Sequence, residues 1–137
     1  MAALFSTSWQ SKVMNKKRPK HLALHLIKLP LPGLISILHR ISGLLLFLSL
    51  PLLLWMLQLS LSSIETYTAL RSVLSQPLFK LLLLGLLWAF LHHFCAGLRY
   101  LAIDLHYGLG LAQARNSSKV VLMVSLILTV MLGVKLW

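Results

Sequence analysis

Three stretches of the chain are apolar almost without interruption, and each approaches the roughly 20 residues a helix needs to cross the hydrocarbon core of a bilayer. The first runs from about Ile41 to Leu61, broken only by the uncharged Ser42, Gly43, Ser49, Gln58 and Ser60 and by Pro51. A proline inside a membrane helix is tolerated, and a bend is expected near it. The second runs from about Pro77 to Leu98 and contains His92 and His93. The third runs from about Val120 to Trp137, with Lys135 close enough to the end to snorkel. The polar stretches between them, Ser62 to Gln76 and Arg99 to Lys119, read as loops on opposite sides of the membrane. Ahead of the first span, His21 to Leu29 alternates polar and apolar residues and reads as lying on the membrane surface. The pattern predicts an all-α membrane protein of three transmembrane helices with a short interfacial N-terminal segment. Residues 1–35 form a basic head and residues 36–137 the membrane domain.

Composition agrees, and charge adds an orientation. Hydrophobic residues make up 58% of the 137 and charged residues 11%, against about 25% charged in soluble proteins. The net charge of +11 would suit nucleic-acid binding if the cations shared one wet face. Instead they sit in blocks between apolar runs, as they do in membrane proteins. Lys12, Lys16, Lys17, Arg18, Lys20, Lys28, Arg40, Arg99, Arg115 and Lys119 fall on one side, and only Arg71, Lys80 and Lys135 on the other. The positive-inside rule then puts the N-terminus inside, in the cytoplasm or the mitochondrial matrix. Met1 to Gln10 lack the order of a secretory signal. They read either as a weak transit-like extension or as an upstream start ahead of Met14. The single cysteine, Cys95, allows no internal disulfide and no cysteine zinc cluster.

Ionisable groups within membrane helices cost several kcal/mol unless paired, so each is a candidate for function. Ser36, His39 and Arg40 stand where the first span begins, and His92 and His93 stand late in the second, followed by Arg99 and Asp104. In antiparallel helices these groups converge at one depth near the inner face. A histidine in an apolar, membrane-buried place is a common axial ligand to haem iron. His39 and Arg40 suit the haem propionates. Gly97, at i+4 from His93, shares its helix face and offers room for a flat macrocycle. His92 points about 100° away, on the face of Gly85 and Arg99. The plain alternatives are a histidine that only hydrogen-bonds, an arginine that anchors at the interface, and a glycine that serves helix packing.

The run Ser36-Ile37-Leu38-His39-Arg40-Ile41-Ser42-Gly43 resembles the Ser-x-x-His-Arg-x-Ser/Thr-Gly signature of the cytochrome b anchor subunits of succinate dehydrogenase. Arg18-Pro19 upstream matches as well. The run from His93 to Tyr100, followed by Asp104, is similar to the second signature, His-x-x-x-Gly-Ile-Arg-His with a trailing Asp. The resemblance covers Lys16 to Trp137. It implies that His93 is an axial ligand of haem b, whose second ligand comes from another small membrane subunit. It also implies that Ser36 and Arg40 line the ubiquinone site, and that His39 and Arg40 lie near the propionates. The implied partners are a flavoprotein subunit, an iron–sulfur subunit and that second hydrophobic anchor, in a complex that oxidises succinate and reduces quinone. Asp104 matches an acidic position near the inner surface. Tyr100 stands where the family usually has histidine, and Lys20 replaces an apolar residue.

No group for succinate chemistry is visible, since the acids number two, Glu65 and Asp104, and no flavin or nucleotide fingerprint occurs. The chain therefore reads as an electron-transfer and anchor subunit, not an enzyme by itself, with no nucleic-acid partner. It is expected in an inner membrane, the bacterial one being preferred over the mitochondrial. Three other readings stay open: a fumarate reductase anchor, a haem-free membrane anchor, and a channel or transporter subunit using His92, His93 and Asp104 for protons.

Overall fold

A computed structural model describes residues 29–136. The basic head from Lys12 to Lys28, nearly all of the surface segment expected at His21 to Leu29, and Trp137 lie outside the described residues. Within them the chain forms four helices, α1 Leu31–Ser62, α2 Ile64–Leu74, α3 Pro77–Asp104 and α4 Leu111–Leu136. The three long ones are apolar enough to cross a membrane. α3 packs against both α1 and α4 and occupies the centre, while α1 and α4 touch less.

The apolar spans are where they were expected, but every helix overruns its span. α1 begins ten residues before Ile41. Pro30 stands at its N-cap in an extended conformation, and Pro32 lies in the first turn, where a missing N–H costs nothing. The helix runs unbroken through Pro51. α3 continues past Leu98, so Arg99 and Asp104 are helical and not in a loop. α4 starts at Leu111 and takes Arg115 and Lys119 into its first turns. A helix of 32 residues is about 48 Å long, well beyond the roughly 30 Å of hydrocarbon. Its polar ends therefore remain helical in the interface, where charged side chains can be solvated.

The stretch from Ser62 to Gln76, expected as a loop, instead contains α2. Ser63 caps it by accepting from the Thr66 N–H at 3.2 Å, and the Thr66 hydroxyl accepts the Ser63 N–H at 3.1 Å, a reciprocal capping box. Glu65 in the first turn and Arg71 in the last complement the helix dipole. The link from α3 to α4 shrinks to a tight turn. The His106 N–H bonds the Ile103 carbonyl at 2.8 Å and the Tyr107 N–H bonds the Ala102 carbonyl at 3.0 Å, a Schellman close. His106 takes the left-handed conformation that glycine usually fills there (φ 64°), and Gly108 follows at φ 77°.

Few side chains are buried, because in lipid no hydrophobic force drives helices together and small residues let them approach closely. On α4 the buried positions are Ser118, Val121, Ser125, Thr129 and Gly133, a stripe at helical spacing. Their hydroxyls are satisfied within α4: Ser118 by the Ala114 carbonyl at 2.7 Å, Ser125 by Leu122 at 3.0 Å and Thr129 by Ser125 at 2.7 Å. On α3 the buried positions are Ala89, Leu91, His92 and Ala96, and Ala96 clusters with Val121 of α4. Leu44, Phe47, Leu48, Leu54 and Trp55 of α1 are exposed, an apolar surface that in water would signal aggregation and in a bilayer faces lipid or another subunit.

The close point of the α3–α4 seam is Gly133, where an added Cβ would lie 2.8 Å from Leu84 Cδ1. That atom ends a flexible side chain, so Gly133→Ala is expected to be absorbed. Gly133→Leu overpacks the seam, at a cost of about 1–3 kcal/mol, and is expected to lower the melting temperature in detergent well below that of the alanine variant.

Candidate functional site

Of the groups expected to converge, His39 and His93 meet directly, whereas His92, Arg99 and Asp104 do not join them. The rings of His39 on α1 and His93 on α3 stack with centroids 4.2 Å apart and planes 12° from parallel. His93 Nδ1 lies 3.0 Å from the His39 carbonyl oxygen. A carbonyl only accepts, so Nδ1 carries the proton and donates it. In the neutral ring this leaves the lone pair on Nε2, which has no hydrogen-bond partner among the described residues. The ring is half-buried. An imidazole fixed through Nδ1 to a carbonyl, with Nε2 free, is the form in which histidine serves as a metal ligand.

Two residues without an assigned role in the sequence reading build this contact. Ser42, 4% exposed, donates from Oγ to the His39 carbonyl at 2.9 Å and stands 3.3 Å from His93 Nδ1. Gly43 is the position that gives the His93 ring its room, since a Cβ there would fall 2.8 Å from Cε1 and 3.2 Å from Nδ1. Gly97, read from the sequence as room for a flat macrocycle, lies opposite His39, and an added Cβ would stand 3.8 Å from His39 Nε2, an ordinary contact. The i+4 relation fixes which face of its own helix Gly97 shares, whereas the crowding arises across the gap, from α1.

Ser36 and Arg40 share a face of α1 by their i,i+4 spacing. Ser36 is half-buried and Arg40 exposed, with no hydrogen-bond partner for the Arg40 guanidinium among the described residues. His92 turns the other way. It is fully buried, its ring lies 5.4 Å from that of Trp88, and neither of its ring nitrogens has a partner among the described residues. Arg99 leaves the histidine pair for α4, donating from Nε to Ser117 Oγ at 2.9 Å and from Nη2 to the Ala114 carbonyl at 3.4 Å. Tyr100 tilts against His39 at 5.3 Å, with its hydroxyl buried and unpartnered among the described residues. Asp104 is exposed at the end of α3.

The larger grooves among the described residues lie elsewhere on the surface. One of about 430 Å³ is lined by leucines and Phe90, and another, of about 500 Å³, lies between α3 and α4 around Arg99 and Ser117. Neither includes the histidine pair. Within this chain the two rings are half-buried between α1 and α3.

Replacing Gly43 by alanine forces the His93 ring off its carbonyl, while the same change at Gly97 meets only a 3.8 Å contact. Gly43→Ala is expected to destabilise the chain by about 1–3 kcal/mol, and Gly97→Ala to sit near wild type, in thermal denaturation of the detergent-solubilised protein.

The family model of the succinate dehydrogenase/fumarate reductase transmembrane subunit matches residues 14–132. A relative from Coxiella burnetii, named succinate dehydrogenase cytochrome b556 subunit, is 38% identical over 125 residues, covering 90% of this chain and 100% of that protein. Proteins of the same name from Paracoccus denitrificans and Rickettsia felis are 34% and 30% identical. They match over 83% and 93% of this chain and 88% and 99% of their own lengths. With three apolar spans, paired histidines on facing helices and a family match over nearly its whole length, this chain belongs to the succinate dehydrogenase/fumarate reductase transmembrane subunit family.

Proposed function

We propose that the chain is the membrane-anchor cytochrome b subunit of a succinate:quinone oxidoreductase, and that its residues 36–137 form the haem- and quinone-binding anchor. It binds haem b jointly with a second small membrane subunit and contributes to the site where ubiquinone is reduced. The observation that carries this reading is the Nδ1–H donation of His93 to the His39 carbonyl at 3.0 Å, which leaves Nε2 available on a half-buried ring. Among the described residues one imidazole is fixed in this way, in keeping with a haem held between two chains. His92 is a poor rival, since its ring is sealed inside the bundle, out of reach of a group shared at the surface.

When bound, the haem would store an electron close to the quinone, at a potential set by its axial ligands and burial. The residues of this chain supply the rest. His93 would hold the haem iron through its Nε2. His39, stacked on His93, and the exposed Arg40 carry positive or donor character to the propionates. The Ser36 hydroxyl, one turn from Arg40, donates to a quinone carbonyl. Arg40 steadies the negative charge that develops on the quinone oxygens as electrons arrive.

The surrounding assembly follows from the same reading. The flavoprotein subunit oxidises succinate and the iron–sulfur subunit delivers its electrons. Both dock on the inner face, where the basic head, Arg40, Arg99, Arg115 and Lys119 provide electrostatic steering. The chain is a multi-pass protein of the bacterial inner membrane with its N-terminus inside, as the distribution of Lys and Arg supports.

Two outcomes test this. In the chain co-expressed with its second membrane subunit, the reduced-minus-oxidised spectrum is expected to lose its b-haem signal in His93→Ala and keep it in His92→Ala. A signal that survives His93→Ala, or falls only with His92, contradicts the assignment. In the assembled complex, Arg40→Ala is expected to slow succinate-driven quinone reduction about ten-fold or more, from the loss of a charged hydrogen bond of about 1.5–3 kcal/mol, with subunit stoichiometry maintained. Unchanged turnover removes Arg40 from the quinone site.

A further inference from the structure

The His39 carbonyl is shared among three donors. As part of α1 it accepts the Gly43 N–H in the ordinary i→i−4 pattern. It also accepts the Ser42 hydroxyl at 2.9 Å and His93 Nδ1–H at 3.0 Å. A carbonyl oxygen offers two lone pairs, so each donor weakens its hold on the others. Serines that bond back to the i−3 carbonyl are common in this chain, as at Ser49, Ser60, Ser72 and Ser75. Among the described residues, Ser42 alone directs its hydroxyl to a carbonyl that also receives an imidazole from another helix. It is buried there and lies 3.3 Å from the same Nδ1.

We propose that Ser42 is a positioning residue for the metal-binding imidazole, limiting how strongly the His39 carbonyl draws on the Nδ1 proton of His93 and so setting how much electron density Nε2 gives to iron. This inference rests on the reading of His93 as an axial haem ligand. A bond from Nδ1–H to a carbonyl raises the basicity of the ligating nitrogen, and axial ligation is one of the levers on haem potential. The Ser42 hydroxyl competes for the carbonyl and moderates that effect. It also offers Nδ1–H a second acceptor, but at 3.3 Å this branch lies beyond the usual N–H···O range. Competition at the carbonyl is therefore the larger of the two effects. Without the hydroxyl, His93 donates more fully, its Nε2 becomes a stronger donor to ferric iron, and the haem becomes harder to reduce.

The test is a redox titration of the haem in the complex assembled with its second membrane subunit, comparing wild type, Ser42→Ala, Ser42→Thr and His93→Ala, with haem content and the low-spin electron paramagnetic resonance signal recorded for each. Ser42→Ala is expected to retain its haem with a lowered midpoint potential and altered g-values, and Ser42→Thr, which restores a hydroxyl, to return toward wild type. A serine that served only packing would leave the potential unmoved. Should the alanine variant assemble poorly, Ser42→Cys, a weaker donor of similar size, is expected to show a smaller downward shift. An unchanged or raised potential in the variants lacking the hydroxyl, with haem lost in His93→Ala, overturns the role of Ser42 alone. Haem retained in His93→Ala overturns the axial assignment itself and the inference with it.

Discussion

The joint between α1 and α3 turns on one imidazole. His93 reaches across to the His39 carbonyl, stacks on the His39 ring, and fits only because position 43 has no side chain. In water such a bond contributes about 1 kcal/mol net. Within a bilayer an unmet polar group has no solvent to turn to, so the same contact also decides where two otherwise featureless leucine-rich surfaces meet. One ring edge holds the helices together, and the other has no hydrogen-bond partner among the described residues.

The α3–α4 interface solves the problem differently. Ser118, Ser125 and Thr129 bury their hydroxyls by returning them to carbonyls of their own helix, leaving small, satisfied surfaces for α3 to approach. The Arg99–Ser117 bond pins the end of this seam. α3 is thus committed on both sides, to α1 through the histidines and to α4 through small residues and one arginine. The outer faces of α1 and much of α4 remain apolar and exposed, available to lipid and to other subunits.

The three spans were legible because apolar length is a strong signal, and the meeting of His39 with His93 followed from their depth in antiparallel helices. The ends of the helices were not legible, since backbone hydrogen bonding continues into the interface after hydropathy falls, as at Arg99–Asp104 and Leu111–Lys119. α2 was hidden by Ser62, Ser63, Glu65, Thr66 and Thr68, which look like a polar loop; the signal that could have found it is the Ser63/Thr66 capping pair. The crowding of the His93 ring against Gly43 could not come from spacing along one helix, because it depends on the rotation of α1 against α3. Ser42 was present in the first signature, but its acceptor is a backbone atom, and nothing in the sequence says which carbonyl a distant imidazole will share.

The most direct measurement is a cryo-EM map of the assembled complex at a resolution that shows side-chain orientation around this joint. Haem density is expected to join His93 on its Nε2 side, with Nδ1 still about 3 Å from the His39 carbonyl and with a ligand supplied by a second membrane subunit. Haem bound elsewhere, or an imidazole turned so that Nδ1 meets the iron and the His39 carbonyl is released, would contradict that expectation.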